Sequence, residues 1–285
     1  KVDIIPRFSM NTSFADIEKK ENRKDLIISI CVFLSGFSCF AQLYYFQPLL
    51  PDLAKDFILS ASESSFAISF STLGMVFGLF TTMFVADRIP RKKMIGTGLL
   101  SSSIFSVAAS FSPTFLPLIL LSAAKGFLLS GATSVSMAYI AEEVSSRNKG
   151  KIMGLYIAGN ALGGMAGRVI SSWIGALYTW RIASVSIGLI CALFAILFLL
   201  FSPRSTNFMP RKESFHTLII ANLQLITSKA LIPFYLTGGL ILGVFIQLPG
   251  ILSDQSTFQF PGTLYPLYLF NVYIRYFRVD CDSRT

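Results

Sequence analysis

Lys125 occupies the position in this chain that most needs a chemical explanation. It lies ten residues beyond Phe115, inside an apolar run over 115–140. At 1.5 Å per residue that is ~15 Å along a helix, near the middle of a hydrocarbon layer ~30 Å thick. An ionisable group there marks a cavity or a translocation path, unless it snorkels out or is held in a structural ion pair. No Asp or Glu lies deep in the first six apolar runs. Asp52, Asp56, Glu63 and Asp87 fall between runs, and Glu142 and Glu143 sit at the end of the fourth. Lys125 is therefore the titratable group available near the centre for carrying a proton.

Other polar and small residues recur at helical spacing. Ser35, Ser38, Gln42 and Tyr45 share one face of the first run. That face either makes hydrogen bonds between helices or forms the wall of a polar substrate cavity. Ser122, Gly126, Ser130, Ser134 and Ala138 form a small-residue stripe on the fourth run, which favours close helix packing. The fifth run carries a ridge of Gly159, Gly163 and Gly167, with Gly164 and Asn160 beside it, and reaches Arg168 about five residues from its outer end. Glycine is costly in an ordinary helix interior, so such a ridge serves close packing or a bend. Arg168 either snorkels outward or faces the same cavity as Gln42, Tyr45, Lys125 and Asn160.

Enzymatic and metal chemistry find no matching pattern. The single histidine, His216, stands in a connecting segment, with neither a zinc-binding helix motif nor a nucleophile elbow. Of Cys31, Cys39, Cys191 and Cys281, three lie inside apolar runs and none has metal-ligand spacing. No metal and no cofactor are expected.

The elements that position these residues follow from composition. The chain has 285 residues, 53% hydrophobic and 14% charged, with mean hydropathy +0.63. A soluble surface cannot be built from so little charge, so the fold class is an all-α polytopic membrane protein in a lipid bilayer. The basic residues behind the net charge of +9 lie mostly between the apolar runs, which argues for membrane topology and against a nucleic-acid partner. Spans are expected near 26–47, 65–86, 94–111, 115–140, 151–173, 182–202 and 230–252, with a weaker candidate over 262–275 broken by Pro266. Lys and Arg crowd the N-terminal tail and alternate loops, including Arg88, Arg91, Lys92 and Lys93. That alternation places the N-terminus in the cytoplasm. The long basic connection over 203–229 is expected to carry a short amphipathic helix over 216–228. The chain opens on Lys1, and Met10 is the expected start.

Asp87-Arg88-Ile89-Pro90-Arg91-Lys92-Lys93 closes the hairpin between the second and third runs. It resembles the G-x-x-x-D-R-x-G-R-K/R loop of the major facilitator superfamily, with Met83 and Pro90 in place of the glycines. The fifth run is similar to the G-P-x-x-G-G antiporter signature, with Asn160 at the proline. Ser122-Ala123-Ala124-Lys125-Gly126 is similar to R-x-x-Q-G, with the cation moved to Lys125. With Trp180-Arg181 before the sixth run and Ala138-Tyr139-Ile140-Ala141-Glu142-Glu143 closing the fourth, the set resembles the bacterial drug:proton antiporter branch.

That resemblance implies a tail over 1–25 and the six-helix N-terminal half of a six-plus-six transporter over 26–203. A cytoplasmic linker over 204–229 and one or two helices of a truncated second half over 230–285 follow. It implies a multi-pass protein of the bacterial cytoplasmic membrane that exports a small organic molecule, a drug or metabolite, by proton-coupled alternating access. The competing expectation is a truncated or frameshifted remnant that transports nothing. The resemblance makes Asp87, Arg88, Arg91 and Glu142 a conformational switch, with Glu143 as the other candidate contact for Arg88 and Arg91. It assigns Gln42, Tyr45, Lys125, Asn160 and Arg168 to the substrate cavity, and Gly159, Gly163, Gly164 and Gly167 to the helix-packing motif.

Overall fold

A computed structural model describes residues 7–208, Pro210, Gln224 and 227–240, with side chains from Glu21 onward. Six long helices account for most of them: α1 (Arg7–Tyr44), α2 (Phe66–Val85), α3 (Arg91–Ser110), α4 (Phe115–Glu143), α5 (Lys149–Leu177) and α6 (Trp180–Phe201). Two short helices, Leu50–Asp56 and Ala61–Ser64, fill the connection from α1 to α2. The described residues include no β-strand.

Proline and capping residues set the helix ends. Pro48 and Pro51 follow the end of α1 and cannot donate the backbone hydrogen bonds that would extend it. Pro90 precedes α3. Ser60 and Glu63 form a reciprocal capping box ahead of α2, and the Thr179 hydroxyl accepts from the Ile182 amide at the start of α6. The helix of α1 begins at Arg7, so most of the stretch expected to be a tail before residue 26 is already helical.

Among the described residues, four stretches qualify as membrane spans by length and apolarity alone: Glu21–Asp56, Ala61–Arg88, Phe115–Glu143 and Trp180–Phe201. Serine dilutes α3 and glycine dilutes α5, yet these small residues point inward. Ser102, Ser103 and Ser106 are buried on α3, and Gly159, Gly163 and Gly167 on α5. Both helices pack within the bundle, α3 against α4 and α6 and α5 against α1.

Close backbone approach holds the two main helix pairs. A Cβ on Gly159 would lie 2.6 Å from the Phe33 carbonyl oxygen and one on Gly167 2.7 Å from the Ala41 Cα, while one on Gly163 would run into the Phe37 backbone. The ridge of α5 therefore meets three successive turns of α1. The pair α2 and α4 repeats the device, with Gly74 against the Ala123 backbone and Gly126 against that of Ser71. Gly164 faces the ring of Tyr44 instead.

Beyond α6 the chain is helical again over 232–240, inside the expected seventh span. Residues 241–252 of that span, the 262–275 candidate and most of the 216–228 stretch lie outside the described residues.

Candidate functional site

The end of α1 presents three consecutive aromatic residues, Tyr44, Tyr45 and Phe46, and two buried cations from different helices sit on them. Lys125 of α4 places Nζ 4.4 Å from the Tyr45 ring centroid and 4.7 Å from that of Phe46. Arg168 of α5 places its guanidinium carbon 4.7 Å from the centroid of Tyr44. Each cation is 1% exposed. The outward snorkelling open to Arg168 on sequence is not what it does: α5 turns that side chain into the bundle, where an aromatic face receives it.

The aromatic triplet stands where α1 breaks. Pro48 cannot donate to the Tyr44 carbonyl, and the Leu49 amide turns back to the Phe46 carbonyl at 3.0 Å. The Tyr45 carbonyl, which continued helix would have used, accepts instead from Ser171 of α5 at 2.8 Å. A chain interruption thus supplies the rings that cover Lys125.

A polar network continues from the same face of α1. Tyr45 and Ser184 of α6 share a hydroxyl hydrogen bond of 2.9 Å. Ser184 donates to the Ser106 carbonyl of α3 at 3.0 Å, and the Ser106 hydroxyl donates to Gln42 Oε1 at 3.2 Å. Cys191 of α6 donates to the Ser38 carbonyl at 3.7 Å and is within electrostatic reach of Lys125. The network leaves donors over. Lys125 Nζ, Gln42 Nε2, Ser38 Oγ and Ser122 Oγ are buried without a hydrogen-bond partner among the described residues.

Magnitudes show that the Lys125 site is electrostatically incomplete. A cation–π contact contributes ~0.5–2 kcal/mol, whereas burying an uncompensated charge costs several kcal/mol. Two rings leave a protonated Lys125 short of a countercharge. Gln42, Tyr45 and Lys125 meet in this enclosed network, and Arg168 joins it through the aromatic triplet. Asn160 stands apart and partly buried on α5, its Oδ1 packed against Gly36 of α1.

A second cluster closes one end of the bundle. Arg91 donates to Asp87 at 2.9 Å, to Glu142 at 3.1 Å and to the Ala86 carbonyl at 2.6 Å. Burial pulls the Arg91 pKa down, but the hydrogen bonds and charges of Glu142 and Asp87 outweigh it and hold the pKa above the usual arginine value. Glu143 turns away to Lys24 at 2.8 Å and to Thr206 and the Asn207 amide. Arg88 is exposed and forms no ion pair among the described residues. Segment 202–207 is clasped onto this end. Tyr139 bonds Ser202 and the Pro203 carbonyl, the Lys92 amide bonds Ser205, and Lys92 Nζ reaches the Ser202 carbonyl.

Three anchors escaped the sequence. Asp25 on α1 accepts from Ser145 and Asn148 between α4 and α5. Asp56, at the opposite end of the bundle, accepts from both Trp180 and Arg181 at 2.9 Å. Ser106 and Ser184 bridge α3 and α6. Their partners are 64 to 139 residues away, and helical spacing carries no information over that distance.

The Major Facilitator Superfamily model matches residues 29–275. A transporter of Buchnera aphidicola subsp. Schizaphis graminum is 35% identical over 237 residues, covering 83% of this chain and 57% of its own length. The inner membrane transport protein YnfM of Escherichia coli is 35% identical over 222 residues, covering 78% and 53%. The chain thus spans little more than half the length of these relatives. Among solved structures, a D-xylose–proton symporter superposes with a TM-score of 0.61 at 16% identity, covering 88% of this chain and 65% of that one. At that identity the likeness shows the fold alone.

Proposed function

The chain belongs to the Major Facilitator Superfamily, and from that premise we propose that α1–α6 form the first half of a transporter. It moves a small organic molecule across the membrane by proton-coupled alternating access, with Lys125 carrying the proton. Export is the direction taken from the antiporter signature that the α5 glycines resemble. The end bearing Arg91 is the cytoplasmic one, together with the N-terminus, because basic residues crowd it. There, Arg91 with Asp87 and Glu142 acts as a latch between the hairpin of α2 and α3 and the end of α4, and breaks or forms as the halves rock.

The observation that carries the reading is Lys125: a buried amine without a hydrogen-bond partner among the described residues. The titratable groups around it are Tyr45 on α1 and Cys191 on α6. Arg168 on α5 adds a second positive charge nearby, on Tyr44. Toward α4, α2 brings Ser71 and Gly74, and α3 contributes Ser106 to the network. None of these supplies a negative charge, so gain or loss of a proton at Lys125 changes the charge of the whole pocket.

The test is transport in cells expressing this chain, alone and joined to the part of E. coli YnfM that extends beyond the matched residues. Accumulation of benzoate, ethidium and xylose is followed with and without a proton gradient. Gradient-dependent export of one of them by the joined protein, lost on Lys125→Met with insertion intact, supports the reading. Gradient-dependent export that survives Lys125→Met removes Lys125 as the proton carrier.

A further inference from the structure

We infer that the Lys125 pocket is a binding site for a monovalent organic anion, a carboxylate with an aromatic or apolar body. The inference rests on the transporter reading above for the route by which the anion arrives. Around Lys125, buried polar groups stand without hydrogen-bond partners among the described residues: the donors Lys125 Nζ and Gln42 Nε2, and the hydroxyls Ser38 Oγ and Ser122 Oγ, each able to donate. Ser122 precedes Lys125 by one turn on α4. Ser38 and Gln42 lie one turn apart on the α1 face that leads to Tyr45. A carboxylate accepts several hydrogen bonds and supplies the missing negative charge.

The charge distribution selects against the opposite sign of ligand. Every carboxylate with a described side chain in the six helices and their loops lies toward an end of the bundle, and six are engaged there: Asp25 with Ser145 and Asn148, Asp56 with Arg181, Glu63 with Ser60, Asp87 and Glu142 with Arg91, and Glu143 with Lys24. The interior instead holds two basic side chains, Lys125 and Arg168, on adjacent rings of one aromatic triplet. An organic cation placed there finds the charge of Arg168 and no counterion; a carboxylate finds an amine that can take up a proton to pair with it. Lys125 Nζ is enclosed in this structure, covered by the rings of Tyr45 and Phe46, which follow the end of α1.

Charge balance then fixes how proton and cargo are related. A proton taken from solvent onto Lys125 Nζ makes the ammonium that holds the carboxylate, and the pair is neutral. Binding of the anion therefore strengthens binding of the proton at Lys125 Nζ, and binding of the proton strengthens that of the anion by the same factor.

Calorimetry on the whole chain in lipid nanodiscs tests this with benzoate, its neutral isostere benzamide, and benzylamine, in buffers of different ionisation heat. Benzoate is expected to bind about tenfold or more tighter than the other two, as a charge-assisted hydrogen bond would give, and to take up a proton. Lys125→Met should lose that preference at an unfolding midpoint no lower than the parent's, and Lys125→Arg should keep benzoate binding without proton uptake. Benzamide or benzylamine binding as tightly as benzoate overturns the site, as does undiminished benzoate binding by Lys125→Met. Chloride occupying the pocket while benzoate cannot displace it overturns the organic ligand. Benzoate held through Lys125 without proton uptake upholds the site and removes the proton-carrier reading. Gradient-dependent export lost on Lys125→Met with no benzoate binding does the reverse.

Discussion

Lys125 Nζ lies 4.4 Å from the centroid of the Tyr45 ring, so a fully buried lysine rests on an aromatic face supplied by a helix break. Its stabilisation comes from the ring quadrupole, worth ~0.5–2 kcal/mol, which cannot neutralise a full charge. The arrangement leaves a protonated Lys125 in need of a counterion.

Lys125→Met should insert as well as the parent and unfold at the same or a higher temperature. A lysine at the membrane centre costs ~2.5–3.5 kcal/mol on insertion scales, and methionine fills the same volume without it. Thermal unfolding in detergent checks this. A fall of several degrees would make Lys125 a structural residue.

Gly163→Ala should be among the most damaging single-atom additions, because its Cβ would run into the Phe37 backbone and force α1 from α5. Overpacking of this kind costs ~1–3 kcal/mol. Gly154→Ala, on the same helix with nothing within 4 Å of the new Cβ, should be neutral or gain ~0.5–1 kcal/mol. Paired unfolding curves separate the two.

Arg91→Ala should destabilise the bundle by ~1–2 kcal/mol, since its removal strands Glu142 and the Ala86 carbonyl at a partly solvated site. Arg88→Ala should stay within ~0.5 kcal/mol. Asp87→Asn keeps a weaker acceptor for Arg91, so its effect is expected on the rate of conformational exchange rather than on folding. Single-molecule distance measurements across the Arg91 end, set beside denaturation, read both.

Phe111→Cys should react with an impermeant thiol reagent in intact cells, and Arg88→Cys only after permeabilisation, if basic loops are cytoplasmic. Phe111 is 75% exposed, whereas the neighbouring Ser112 is 3% exposed and a poor reporter. Cys31, Cys39 and Cys191 are buried, so Cys281→Ser gives a quiet background. The opposite labelling pattern would invert the topology.

Period and composition were enough to draw the six helices, because a hydrocarbon layer imposes one length and one polarity on each. The glycine ridge at 159, 163 and 167 was legible for the same reason: a spacing of four places three residues on one line, and only close packing needs all three bare. Lys125 stood out because a cation is rare at that depth. What the spacing did not reveal was the partner of each group. Gln42 finds Ser106, Tyr45 finds Ser184, and Glu142 and Glu143, neighbours in sequence, divide between Arg91 and Lys24. Arg168 had two physically reasonable fates, and the rotation of α5 about its glycine contact with α1 chose burial against Tyr44. Helical periodicity fixes which residues share a face, whereas the identity of what that face meets is set by contacts between segments far apart in the chain, and only the packed bundle decides them.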